Sequence, residues 1–156
     1  YCVNHLPVRK PDLRGVPRYF VTRQLLEQDS IAAVVKFLKS SDDASGFHYL
    51  MGDTDGEVVS VEKRTKDISI RSALPTYCHS NHYIHPKFKN LETIQTKSSL
   101  LRLSLAKDAI GPNTDQEEAL TIWRNTLSRP FDKDDYGSKT FATVIADLKQ
   151  KTISIY

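Results

Sequence analysis

The chain has 156 residues, 39% of them hydrophobic and 26% charged, the balance of a soluble globular protein. This length suits a single domain, residues 1–156, with room for a real core. Lys and Arg outnumber Asp and Glu by 22 to 19, and the net charge of +3 is too small, and the bases too scattered, to argue for nucleic acid. No apolar run approaches a membrane span, and no charged-then-apolar signal pattern opens the chain. The two cysteines form no Cys-x-x-Cys pair, so a reducing, cytoplasmic setting is expected.

In chain order, Tyr1-Cys2-Val3 reads as the middle or end of a strand with no turn before it. On that ground the chain is expected to be a fragment that has lost its start. Pro17 suits a first helical position, and residues 18–28 carry Tyr19, Leu25 and Leu26 on a helix. Asp29-Ser30 breaks and recaps the chain. Ile31, Val34, Val35 and Leu38 then fall at i, i+3, i+4 and i+7, an amphipathic helix.

Beyond residue 46 the period changes to two. Phe47, Tyr49 and Met51 alternate with polar neighbours, Gly52 to Gly56 make a turn, and Val59 and Val61 lie on the return strand. Ile68 and Ile70 mark a further strand, and residues 76–79 another. Two helices are expected next, over residues 97–109 with Leu101, Leu105 and Ala109 in register, and over residues 116–127 with Leu120, Trp123 and Leu127. The chain closes with a hairpin pairing residues 140–146 with 152–155. This grouping predicts an α+β fold, an antiparallel sheet carrying helices.

Two asparagines, Asn4 and Asn81, each follow a short strand-like run. Singly, each reads as a turn residue. As a pair, two uncharged side-chain amides could be aimed at the oxygen that gains charge in acyl transfer.

Taken in order, several segments resemble the N-terminal-nucleophile amide hydrolases and acyltransferases of the C45 type, the group of acyl-coenzyme A:6-aminopenicillanic acid acyltransferase. Bile-salt hydrolases and penicillin V acylases are more distant cousins. The matching residues are Val3-Asn4-His5-Leu6-Pro7, Gly15-Val16-Pro17-Arg18-Tyr19-Phe20, and Phe47 to Asp53 continuing through Gly56 to Glu62. They continue in His79-Ser80-Asn81-His82-Tyr83, Ser98-Ser99-Leu100-Leu101-Arg102 and the closing strand.

The resemblance implies part of a four-layer αββα sandwich. It also implies a self-processing precursor whose new N-terminal cysteine attacks an amide or thioester carbonyl, with its own α-amino group as base, reference pKa about 8. Asn81 would donate to the oxyanion, and by resemblance to the more distant cousins Asn4 would be a second donor. His82, Tyr83 and Arg102 would serve the substrate pocket. No cofactor and no metal are implied. The partners would be a small-molecule amide or acyl thioester and the missing N-terminal segment of the same precursor, with neither nucleic acid nor membrane.

The chain departs from the family pattern at the nucleophile. The family's cysteine precedes a strand, a turn and an Arg-Asn-x-Asp-like segment, whereas Cys2 is followed by Asn4-His5-Leu6-Pro7. Cys2 and Cys78 therefore read as ordinary buried thiols. In the distant cousins a catalytic arginine starts the helix that residues 98–109 match; Ser99 falls at that place here, leaving Arg102 one turn further on. Residues 128–138 are acidic where close relatives carry Cys-Arg-His.

A metal site at Cys78, His79, His82 and His85 lacks an orienting carboxylate nearby. A serine-hydrolase elbow is absent. The rival reading is a non-catalytic binding or regulatory domain that keeps the fold without its chemistry.

Overall fold

The computed structural model describes residues 1–89, 95–124 and 142–156. The protein is α+β, built as two compact units. The first comprises Tyr1–Leu74 and Asn81–Ile94; the second, Pro75–Ser80 and Gln95–Tyr156.

The first unit holds a four-stranded antiparallel sheet in chain order: β1 Cys2–Leu6, β2 Gly46–Gly52, β3 Val58–Arg64 and β4 Asp67–Ser72. Register pairs Asn4 with His48 and His48 with Glu62, and pairs Leu50 with Ser60. Because successive side chains alternate, the sheet has two different faces.

One face presents Phe47, Tyr49, Met51, Val59 and Val61 to two helices, α1 Arg18–Leu25 and α2 Ile31–Ser40. From α1 the buried contacts are Val21 and Leu25, one turn apart, while Tyr19 and Leu26 are exposed. The expected helix face is thus corrected, and Pro17 caps α1 rather than opening it. Helix α2 buries Ile31, Val34 and Leu38 as its spacing predicts, and the Ser30 side chain accepts from the Ala33 amide as the N-cap.

Its C-terminus is held from the sheet. The Lys63 ammonium donates to the carbonyls of Leu38 (2.8 Å) and Ser41 (2.6 Å), where the helix dipole favours a cation.

On the other face, Leu6 meets Tyr83 and Phe88 in a small apolar cluster. The segment that supplies Tyr83 runs into a short helix, α3 Pro86–Lys89. Between β2 and β3, the Asp53 carboxylate accepts from the Asp55 and Glu57 amides, and Gly56 takes φ +90°, completing the expected turn.

The second unit contains α4 Lys97–Ala109, α5 Gln116–Ile122 and the hairpin β5 Val144–Asp147 with β6 Thr152–Ile155. Helix α4 has the predicted bounds but not the predicted stripe: Ser99, Leu103 and Ala106 are buried, whereas Leu101 is exposed. Residues 76–79 are not a strand; after Pro75 they pair with no strand among the described residues. The end of the second predicted helix, with Leu127, the acidic stretch 128–138 and the start of the last strand at 140–141 lie outside the described residues. No helix among the described residues is long and apolar enough to cross a membrane.

Candidate acyl-transfer site

Asn4 lies in the middle of β1 rather than after it, and Asn81 lies in a loop. The structure nevertheless brings them to one strand. The Asn81 Nδ2 group donates to the carbonyl oxygen of His5, the residue after Asn4, at 3.1 Å. Both asparagines are half-buried.

Asn4 faces the side of the sheet away from α1 and α2, and there the polar residues form a continuous chain. The Asn4 Oδ1 atom lies 2.7 Å from Nδ1 of His48. His48 Nε2 is 2.9 Å from the Ser60 hydroxyl, which is 2.9 Å from Nε2 of His85. His85 Nδ1 in turn lies 3.0 Å from the hydroxyl of Ser69. His48, Ser60 and His85 are all buried. Two carboxylate bonds secure the segment that brings His85 in: Glu62 accepts from the Ile84 amide (2.6 Å) and from the His85 amide (3.1 Å). A fully buried carboxylate costs several kcal/mol unless its oxygens are satisfied, and these two amides supply partners.

Sequence reasoning assigned no role to His48, Ser60 or Glu62 and weighed His85 only as a metal ligand. His48, Ser60 and Glu62 were legible as the polar half of an alternating strand pattern, which ordinarily faces water, whereas His85 lies on no strand. Their burial depends on the segment 81–89 folding over them, and no local pattern announces that.

Of the residues expected in the pocket, His82 and Tyr83 are buried. Tyr83 packs edge-on to Phe88 at 5.3 Å and donates to the Lys63 carbonyl at 3.3 Å. Burial pushes its phenol well above the ordinary range, so it stays a neutral donor. Arg102 belongs to the second unit. Its Nε donates to the Ser98 hydroxyl at 3.3 Å, and it lines a cavity of about 30 Å³ with His79, Ser80, Ala106 and Trp123. That volume holds a water, not a substrate. In the same unit the Ser99 hydroxyl donates to the Ser80 hydroxyl at 3.1 Å.

The thiols differ from expectation. Cys2 is exposed, because it starts a strand at the sheet edge on the face away from the helices. Cys78 is half-buried, and that burial raises its thiol, with Lys107 opposing the rise. At Cys78 burial outweighs the nearby lysine, and burial disfavours the thiolate. No group of three or more His, Cys, Asp or Glu among the described residues is arranged to hold a metal ion.

A comparison with curated proteins returns no match. The sequence model of the acyl-coenzyme A:6-aminopenicillanic acid acyl-transferase family matches residues 1–156. The match spans every segment described above, from the β1 asparagine to the closing hairpin, and the chain belongs to the acyl-coenzyme A:6-aminopenicillanic acid acyl-transferase family.

Proposed function

We propose that this chain carries the oxyanion-stabilising side of a cysteine-dependent acyl-transfer centre. Its substrate class is a small-molecule amide or an acyl thioester such as an acyl-coenzyme A. The observation that carries the reading is the convergence of two uncharged amides on β1, with Asn81 bonded to the carbonyl that follows Asn4.

In this reading a thiolate adds to the substrate carbonyl, and the carbonyl π electrons move to its oxygen. Asn81 and Asn4 donate to that oxyanion, and collapse expels an amine or a coenzyme thiol to leave an acyl-enzyme. Water then completes hydrolysis, or an acceptor amine completes transfer. Donors fixed in place before charge develops lower the barrier, because nothing needs to reorganise at the moment of reaction. In this reading His82 and Tyr83, both buried in the first unit, serve the substrate pocket. The attacking thiol is not among these 156 residues.

The test is acylation of the purified 156-residue chain by a reactive acyl thioester, read by intact mass and peptide mapping. No fast, stoichiometric adduct is expected on Cys2 or Cys78. Rapid acylation of either one, saturable in the thioester, would place the nucleophile within this chain and overturn that part of the reading.

A further inference from the structure

The polar chain under Asn4 has a property that its individual bonds do not reveal: its hydrogen bonds have one direction. A carboxamide oxygen only accepts, so the nitrogen facing Asn4 Oδ1 must carry the proton, and His48 is an Nδ1–H donor. A neutral His48 then has a bare Nε2, which must accept from the Ser60 hydroxyl. With its one proton spent, the Ser60 oxygen accepts from Nε2–H of His85. His85 Nδ1 is then the acceptor for the Ser69 hydroxyl. Four bonds of 2.7–3.0 Å thus run in series from β4 across β3 and β2 to β1.

We infer that His48 is a positioning residue for Asn4: the Ser69–His85–Ser60–His48 relay fixes the rotation of the Asn4 carboxamide, holding its oxygen inward and directing its amino group to the side where an oxyanion forms. The inference rests on the acyl-transfer reading of Asn4 for its functional consequence, but not for its geometry. An asparagine amide can otherwise turn by half a rotation and present its oxygen, which would repel an oxyanion instead of stabilising it. Serine suits the centre of the relay because a hydroxyl donates once while accepting from another group. The buried histidines suit it because each neutral ring has one donor and one acceptor on opposite sides. Glu62 holds His85 in line through the two backbone amides it accepts from.

The relay requires its two histidines to be opposite tautomers, His48 protonated on Nδ1 and His85 on Nε2. Long-range proton–nitrogen spectra of the chain labelled at histidine read this directly at neutral pH. That pattern, with loss of the His48 Nδ1–H preference in Ser60→Ala, is the expected result. His48 protonated on Nε2, or on both nitrogens, overturns the inference.

Turnover by the protein as its gene encodes it supplies the second readout. His48→Leu should lower kcat about 10–100-fold, short of or equal to the loss of one oxyanion donor, with KM unchanged. His48→Asn, whose amide nitrogen can occupy the place of Nδ1, should restore most of the rate. If Asn4→Ala slows turnover but His48→Leu does not, positioning by His48 is wrong. If neither substitution matters while the tautomers are as stated, the relay orders Asn4 but the oxyanion role of Asn4 fails, and the functional half of the inference falls with it.

Discussion

At the scale of single residues, the most exacting environment in the first unit is that of Lys63 and Asp43. Both side chains are fully buried, with Nζ 3.6 Å from Oδ1. Asp43 also accepts from the hydroxyls of Ser41 (2.7 Å) and Tyr49 (3.1 Å). Burial raises the Asp43 carboxyl and lowers the Lys63 ammonium, so desolvation outweighs their mutual attraction. Removing one partner strands the other. Lys63→Met is therefore expected to cost about 3–5 kcal/mol in urea unfolding, and also frees two carbonyls at the end of α2.

The sign of the pH dependence follows from the raised carboxyl. Asp43 holds its proton to higher pH in the folded chain than in the unfolded one. Its contribution to stability is full below the unfolded carboxylate pKa of about 4 and is lost as pH rises through the folded value. Compared with Asp43→Asn, the natural chain should lose urea resistance as pH rises from that point. A difference between the two proteins that is flat with pH would show that Asp43 does not titrate as stated.

At the scale of elements, the closest packing is where β2 begins. A Cβ on Gly46 would run into the Tyr83 hydroxyl and the Leu6 carbonyl, the second of which is backbone and cannot swing away. Gly46→Ala is expected to destabilise by about 1–3 kcal/mol. Adding Tyr83→Phe should recover only part of that loss, as the Leu6 carbonyl remains; thermal unfolding of the single and double variants decides.

The elements also show which parts of the fold were legible. Spacing identified α2 and the β2–β3 hairpin because their apolar positions recur at one period, and that period matches what is buried. It failed at α4, where Leu101 is exposed and two serines lie buried, because a hydroxyl with a partner can be buried as readily as a leucine. It failed again at residues 76–79. Tyr77 and Cys78 have strand-like side chains, but a strand needs a neighbour, and neighbours are set by tertiary structure.

The asparagines were singled out for lying after strands, and neither does. Asn4 is inside its strand and Asn81 follows no strand. The polar relay beneath them could not be read locally, because it joins residues from three strands and a loop.

At the scale of the whole molecule, family membership and the two-faced sheet belong to one account. One face of the first unit is an apolar layer under helices, and the other buries a hydrogen-bonded polar network that fixes the positions of its members. That polar face is where Asn4 is held, and where Asn81 crosses to β1. The central claim is that these amides stabilise a developing negative charge on a carbonyl oxygen. It is tested most directly by the acyl-transfer rate of Asn81→Ala in the protein as its gene encodes it, with folding checked by thermal unfolding. The account predicts a fall in kcat of about 10²–10³ with KM little changed, the loss expected for one oxyanion donor. A folded Asn81→Ala protein that turns over at the natural rate would contradict it.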